Sequence, residues 1–191
     1  MRKSRLEAFS DGVIAVIITI IVLELRVPHG VELADLRDLA APFLSYVLSF
    51  VFVAIYWNNH HHMLHTVERV NGAILWANTH LLFWLSLVPF ATAWISDHPF
   101  ATWPTVLYGL ILFMAAIAYT ILQRTVIRLH GTQSLLAAAI GADVKGKASV
   151  ILYLGAIGFA FFQTWISVLI FVLVACIWLI PDRRIERVID H

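Results

Sequence analysis

The segment from Arg5 to Leu25 places charged and hydrogen-bonding side chains at one end of a long apolar run. Hydrocarbon does not solvate an ionised side chain, so a charged group at the edge of such a run needs a partner within the protein. The run is long enough to enter a bilayer, which takes about 20 mainly apolar residues in a helix. The segment is therefore predicted to be a membrane-spanning helix whose polar end has a function.

The composition of the whole chain is that of an integral membrane protein. Of its 191 residues, 61% are hydrophobic and 13% are charged, whereas soluble domains carry about 25% charged residues. The net charge of +1 argues nothing about nucleic acid, because the charges are sorted by position along the chain, and we expect no nucleic-acid partner. The single cysteine, Cys176, excludes an intramolecular disulfide. The first apolar segment is longer than a signal-peptide core and lacks a small-residue cleavage site, so we expect it to be retained.

The apolar runs predict an all-α protein with six transmembrane helices in a single domain over residues 1–191. The region 149–180 has 32 residues, too long for one span and short for two, and we divide it near residues 163–165. The linker 129–148 is predicted to be a cytoplasmic loop with a short surface helix over 134–140. The first four spans are predicted near residues 9–27, 39–60, 71–95 and 104–124.

The distribution of basic residues separates six spans from five. With six spans and a cytoplasmic N-terminus, eleven of the 13 basic residues lie in inner segments, as the positive-inside rule expects. Five spans would leave the tail with Arg183 and Arg184 outside. Both termini are therefore predicted to be cytoplasmic. The inner basic residues are Arg2, Lys3, Arg5, Arg69, Arg124, Arg128, Lys145, Lys147, Arg183, Arg184 and Arg187, and the outer ones are Arg26 and Arg37.

Beyond its polar end, the first helix carries a stripe of mostly apolar side chains. The stripe has the i, i+3, i+4, i+7 spacing of one helical face and comprises Val16, Thr19, Ile20 and Leu23. At about 100° per residue, Asp11 lies about 140° away from Val16 and is expected to face neighbouring helices. The stripe predicts one wall of a pore. The simpler interpretation is packing in a helix bundle, with the Thr19 hydroxyl bonded to a carbonyl one turn earlier.

A group of polar side chains is predicted to clamp the first helix to the second and third. Trp57 and His61 are four residues apart, so they present an indole N–H and an imidazole on one face. Such groups near membrane depth need an acceptor, and Asp11 is at a similar level. The predicted network consists of Arg5, Ser10, Asp11, Trp57, His61 and Asn78.

The histidines of the second helix suggest a metal site, which their spacing does not support. His60, His61 and His62 point about 100° apart and cannot all bind one ion. His61 and His65 supply two ligands at most, and Glu68 alone does not complete a tetrahedral set. Ordinary packing and titration near neutral pH are the alternatives. We predict no metal, no cofactor and no enzyme, because no HExxH, GxSxG or phosphate-binding loop occurs.

The pattern RxxxFSDG occurs as Arg5 to Gly12 and precedes the apolar stretch that ends at Leu25. This helix resembles the first helix of the transmembrane protein 175 family of potassium channels, in its short, single-repeat bacterial form. The likeness covers nearly the whole chain and includes the segments 56–61, 78–90 and 181–186.

The resemblance implies a homotetramer in which helix one of each six-helix subunit lines a central pore. Members of the family pass potassium in preference to sodium through a constriction of aliphatic side chains. On this chain the narrowest ring falls at Val16, and Thr19 adds a ring of hydroxyls. Ile20 and Leu23 add further apolar layers. By the same resemblance the supporting residues are Arg5, Phe9, Ser10, Asp11, Gly12, Trp57, His61 and Asn78.

The absence of a carbonyl selectivity filter agrees independently with a pore whose constriction is made of side chains. No TVGYG-like loop is present, so a selective element in this chain has to be a side-chain constriction. One helix cannot enclose a pore, and a cyclic oligomer is therefore required. We predict a potassium-permeable channel in a bacterial-type plasma membrane, whose partners are monovalent cations, lipid and its own copies. Two alternatives stay open: a proton-coupled carrier that uses Asp11 or His61, and a non-conducting membrane scaffold.

Overall fold

The computed structural model describes residues 2–28, 30–141 and 143–179, which form helices joined by turns. The all-α prediction is thereby confirmed. The closing segment 181–186, one of those similar to the family, lies outside the described residues. The helices are α1 (Lys3–Leu23), a 3₁₀ helix (Leu33–Leu39), α2 (Ala40–His65), α3 (Gly72–Ser86), α4 (Val88–Asp97), α5 (Thr102–His130), α6 (Leu135–Ile140), α7 (Val144–Phe159) and α8 (Thr164–Leu179).

Four stretches of the described chain are long and apolar enough to cross a membrane: α1, α2, the α3–α4 pair and α5. This confirms an integral membrane protein. Helices α7 and α8 have 16 residues each. At 1.5 Å per residue each is about 24 Å long, shorter than a hydrocarbon core of about 30 Å. The count of six spans therefore stays a prediction.

The predicted division of the last apolar region is confirmed, because residues 160–163 separate α7 from α8. Two hydrogen bonds tie the resulting hairpin together. The indole of Trp178 donates to the Ser149 hydroxyl at 2.8 Å, and the Ser167 hydroxyl donates to the Ala156 carbonyl at 2.6 Å. The hairpin is thus held at both ends, even though each helix is short.

The predicted third helix over residues 71–95 is two helices, α3 and α4, with Leu87 between them. Pro89 has no N–H to donate to the carbonyl of Leu85, and its ring crowds that carbonyl. The helical hydrogen bonding is therefore interrupted one turn before the proline. Helix α3 packs on α1 and α5, whereas α4 also packs on α2.

Several helices extend beyond their predicted ends. Helix α1 begins at Lys3, α2 and α5 continue to His65 and His130, and α7 begins at Val144. Hydropathy detects only the apolar part of a helix, whereas the backbone hydrogen bonds continue into polar turns. In α1 an ion pair of 3.7 Å between Lys3 and Glu7 supports the first turn. The linker between α5 and α7 is therefore shorter than the predicted 129–148. The short helix predicted within it is confirmed by α6.

Helix α5 packs on α3 and α4 and also on the α7–α8 hairpin, which α2 contacts as well. At Gly109 an added Cβ would lie 3.0 Å from side-chain atoms of Ile157 and Phe171, so any larger residue would push these side chains back by a few tenths of an ångström. Ala115 and Ala118 on the same helix are fully buried. Small residues allow membrane helices to pack closely, and Gly109 permits this against the α7–α8 hairpin.

A buried group of hydroxyls connects α2, α4 and α5. The Ser49 hydroxyl lies 2.9 Å from the Tyr108 hydroxyl, and Thr92 Oγ1 lies 2.7 Å from Ser49 Oγ. All three residues are buried. Hydrogen bonds between membrane helices contribute about 0.6 kcal/mol each on average, so this group orients the three helices more than it stabilises them.

Candidate functional site

Helix α1 has one buried face and one exposed face. On the buried face Ile17 and Ile21 are 3% and 0% exposed, whereas Val16 and Leu23 on the other are 55% and 78% exposed. Helices α2, α3 and α4 pack against α1 and cover the buried side. The opposite side has no partner within the described subunit. The buried residues are Leu6, Ser10, Ile14, Ile17 and Ile21.

The structure brings the predicted stripe together on the exposed face. An open groove follows one edge of the stripe and is lined on its other side by Pro89 and Phe90 of α4. Phe90 is itself exposed. Contiguous apolar surface of this kind marks a contact with protein or membrane. The exposed residues of this face are Phe9, Gly12, Val16, Thr19, Ile20 and Leu23.

The hydroxyl of Thr19 has a defined direction. Its Oγ1 donates to the carbonyl of Val16 at 2.9 Å, as the simpler interpretation of this residue predicted. Because the hydrogen is used within the helix, the outward side of the oxygen presents lone pairs only. Thr19 is therefore a hydrogen-bond acceptor toward anything that passes along the stripe, and an acceptor oxygen is what a cation or its water binds.

A chain of hydrogen bonds attaches the polar end of α1 to α3 and α2. The Ser10 hydroxyl donates to the Leu6 carbonyl at 2.8 Å and accepts from Asn78 Nδ2 at 2.9 Å. Asn78 Oδ1 lies 2.7 Å from His60 Nε2. Since the Asn78 oxygen can only accept, His60 carries its hydrogen on Nε2. Ser10, Asn78 and His60 are buried. Each of these side chains therefore needs its neighbour in the chain as a hydrogen-bond partner, because water does not reach it.

A second hydrogen bond, nearer the surface, joins α1 to α2. Trp57 Nε1 donates to Asp11 Oδ1 at 3.0 Å. Asp11 thus faces a neighbouring helix, as its helical angle predicted. His61 stacks on the Trp57 ring, with ring centroids 5.9 Å apart and an interplanar angle of 29°. That contact supports the indole without adding a hydrogen bond.

The prediction that His61 joins the hydrogen-bonded network is wrong, because its neighbour His60 occupies that place. His61 is exposed, while His60 is 1% exposed. The two side chains differ by about 100° around the helix, and only one can point into the bundle. The signal was present in the sequence: Val53 and Leu64, both buried, are separated from His60 by seven and four residues, which places all three on one face.

Arg5 also lies outside the network. It is exposed, and within the part of the chain that the structure describes it forms no side-chain hydrogen bond or ion pair. Phe9 and Gly12 contribute to the exposed face and not to the clamp. The basic residue that attaches this end of α1 is Lys3, which sequence reasoning missed. Its Nζ donates to the His65 carbonyl at 2.9 Å and so caps the end of α2.

The remaining histidines of α2 pack against one another. The ring of His61 lies 5.8 Å from that of His62 and 6.4 Å from that of His65, measured between centroids. Among the described residues no three His, Cys, Asp or Glu side chains converge as metal ligands would. These contacts have the geometry of ring packing.

Comparison with known proteins finds relatives along the whole chain. Residues 5–89 match the family model described as "Endosomal/lysosomal potassium channel TMEM175". A potassium channel of Chryseobacterium sp. (strain P1-3) is 55% identical over 187 residues, which is 98% of this chain and 97% of that protein. A potassium channel of Chamaesiphon minutus is 33% identical over 176 residues, 86% of this chain and 87% of the relative.

A solved structure shows the same arrangement of helices. It is the crystal structure of a lysosomal potassium-selective channel TMEM175 homolog from Chamaesiphon minutus, with a TM-score of 0.81 and 30% sequence identity. The match covers 94% of this chain and 97% of that one. The similarity therefore extends over nearly the whole length of both chains.

Proposed function

The chain belongs to the TMEM175 family of potassium channels, and from this premise we propose that four copies form a potassium-permeable channel lined by α1. Val16 forms the narrowest ring in this proposal, and Thr19 supplies a ring of oxygen acceptors. Ile20 and Leu23 form further apolar layers. Potassium passes in preference to sodium, and no cofactor is required.

The observation that carries the proposal is the division of α1 into two faces. The clamp around Ser10 and Asn78 is buried, so the rotation of α1 is specified by hydrogen bonds at its polar end. A rotation by one residue, about 100°, would remove Val16 from a central axis. A helix that only faced lipid would gain little from such a clamp, because lipid does not distinguish between rotations of an apolar helix.

An apolar ring acts on an ion through its water. The side chains at Val16 offer no oxygen to replace the hydration shell, so the ion either keeps its water or meets a dewetted barrier. Potassium is larger than sodium and holds water less tightly, so it crosses such a ring at lower cost. The outward lone pairs of Thr19, one turn away, supply an oxygen contact on one side of the crossing.

The orientation of the subunit forms part of the same proposal. We place both termini in the cytoplasm of a bacterial-type plasma membrane, with six spans that include α7 and α8. The excess of basic residues in inner segments supports this arrangement. The hydrogen bonds that tie α7 to α8 support their crossing as a pair.

Bilayer recording tests the proposed function. Purified protein is placed in a planar bilayer with potassium salt on one side and sodium salt on the other. We expect unitary currents whose reversal potential is shifted in the direction given by a potassium permeability higher than the sodium permeability. Saturable flux that reverses with a pH gradient would instead identify a proton-coupled carrier, and no flux under either gradient would identify a scaffold. Either of those results contradicts the proposal.

Two substitutions on α1 test the position of the pathway. Val16→Asn places an amide in the proposed ring, and we expect the sodium permeability relative to potassium to rise severalfold because the ring becomes wetted. Val22→Asn is the matched control, since Val22 lies on the same helix and is 43% exposed but points about 120° away from Val16. Equal effects of both substitutions would contradict a pathway along the stripe.

A further inference from the structure

A single imidazole holds the turn between α2 and α3 against the end of α5. His130 is the last residue of α5, and its Nε2 accepts hydrogen bonds from the backbone N–H groups of Glu68 and Arg69, at 3.1 and 3.2 Å. Its Nδ1 lies 2.9 Å from the carbonyl of Val126. Both ring nitrogens are therefore engaged, one with each side of the joint.

These contacts define the protonation state of the ring. A nitrogen that accepts two N–H groups carries no hydrogen, while the Val126 carbonyl requires a hydrogen on Nδ1. His130 is therefore neutral, with its hydrogen on Nδ1. A second proton would attach at Nε2 and would point directly at the N–H groups of Glu68 and Arg69. Uptake of that proton is incompatible with both hydrogen bonds.

The charges around this joint are mixed. Helix α6 and the residues of α3 from Gly72 to Thr79 carry no charged or titratable side chain. The charged and titratable residues on the α2–α3 turn, the ends of α2 and α5, and the start of α7 are His62, His65, Glu68, Arg69, Arg124, Arg128, Asp143, Lys145 and Lys147.

We propose that His130 is a proton-sensitive contact, which fastens the α2–α3 turn to α5 when the ring is neutral and releases it when the ring is protonated. Imidazoles as a class change charge between about pH 5 and 8. Helix α3 starts directly after the turn and carries Asn78, which binds Ser10 of α1. Release of the turn therefore bears on the clamp of α1. An effect on ion current rests on the proposed function, whereas the effect on the turn does not.

Amide hydrogen exchange of the full-length protein in lipid nanodiscs tests the contact. Exchange of the peptide that covers residues 66–71 is measured at about pH 7.5 and about pH 5.5 and corrected for the intrinsic rates. We expect the protection of the Glu68 and Arg69 amides to fall about tenfold at the lower pH, since two hydrogen bonds are lost. In His130→Gln the side-chain oxygen still accepts but does not titrate, so protection should be equal at both pH values. His62→Gln is the matched control and should retain the wild-type fall.

Two results would overturn the proposal: an equal fall in wild type and His130→Gln, or no fall in wild type. If His130→Gln does not fold, the ¹⁵N shifts of the wild-type ring decide, because a hydrogen on Nε2 at about pH 7.5 contradicts the contact. Bilayer currents at the two pH values form a separate measurement. If exchange changes as expected but no current is seen at either pH, the result supports the His130 contact and contradicts the proposed channel function.

Discussion

At the scale of single residues, Ser10 and Asp11 show how two adjacent side chains attach one helix to two neighbours. Ser10 points into the bundle and binds Asn78 of α3, while Asp11 points sideways and binds Trp57 of α2. The difference of about 100° between successive residues makes this possible. Together the two contacts restrict both the position and the rotation of α1.

Thr19→Ala tests the only oxygen that the stripe presents. The substitution removes the acceptor without adding bulk, and we expect the potassium conductance in planar bilayers to fall severalfold, since no other stripe side chain contacts the ion through oxygen. Thr79→Ala is the matched control, because the Thr79 hydroxyl is also exposed and also bonds to a backbone carbonyl, that of Leu75. Loss of conductance in both variants would contradict the role of Thr19.

Trp57→Phe tests the bond to Asp11. The phenyl ring retains the stacking on His61 but cannot donate to the carboxylate. Because Trp57 is 42% exposed, we expect a loss of about 1 kcal/mol, below the usual range for a hydrogen bond to a charged group. The thermal unfolding midpoint in detergent should fall by about 2–4 °C. Trp76→Phe is the control, since Trp76 is 78% exposed and forms no hydrogen bond among the described residues.

At the scale of helices, the buried chain from Leu6 to His60 joins three elements with neutral groups only. His60 donates to the Asn78 oxygen, the Asn78 amide nitrogen donates to the Ser10 hydroxyl, and Ser10 donates to the Leu6 carbonyl. Removal of the central amide leaves the His60 N–H buried without an acceptor, and an unsatisfied group costs more than the bond contributed.

Asn78→Ala should therefore be the most damaging substitution in the clamp. We expect a loss of about 1–3 kcal/mol, measured as a fall of the unfolding midpoint by roughly 2–10 °C. Asn58→Ala is the control, because Asn58 is half-buried and has no side-chain hydrogen bond in the described part of the chain. A midpoint that changes equally in both variants would show that the chain of hydrogen bonds does not specify this packing.

Helix ends were harder to predict than helix centres. The apolar middle of α1, α2 and α5 was evident from hydropathy, but α1 continues to Lys3 and α5 to His130. These ends are maintained by contacts with distant residues: Lys3 binds the carbonyl of His65, and His130 binds the turn at Glu68. A local pattern contains no information about partners about 60 residues away.

At the scale of the whole molecule, the exposed face of α1 is an apolar surface that no other helix of the described chain covers. The family relationship and the apolar character of the stripe lead to the proposed four-fold assembly, in which this face surrounds a common axis. Closed cyclic symmetry of this kind buries the same surface in every copy.

Leu23→Cys tests that arrangement in a Cys176→Ser background. Leu23 is 78% exposed, and copies of it around a narrow axis would approach one another. We therefore expect an oxidant to produce disulfide-linked dimers, detected as doubled mass on a non-reducing gel. Leu173→Cys, on α8 and 50% exposed, is the control and should remain monomeric on the gel. Cross-linking at Leu173 and not at Leu23 would contradict a central α1.

The sequence by itself determined the membrane class, the helical stripe and the family, because hydrophobicity, helical period and the RxxxFSDG pattern are properties of neighbouring residues. It also determined that Asp11 turns away from the stripe. Only the tertiary structure decided that His60 and not His61 completes the clamp, that Lys3 and His130 hold helix ends, and that Pro89 divides one predicted span in two. Those outcomes depend on which groups from distant helices come into contact. A shift of a fraction of an ångström forms or breaks a hydrogen bond, and the pattern of neighbouring residues does not specify positions that closely.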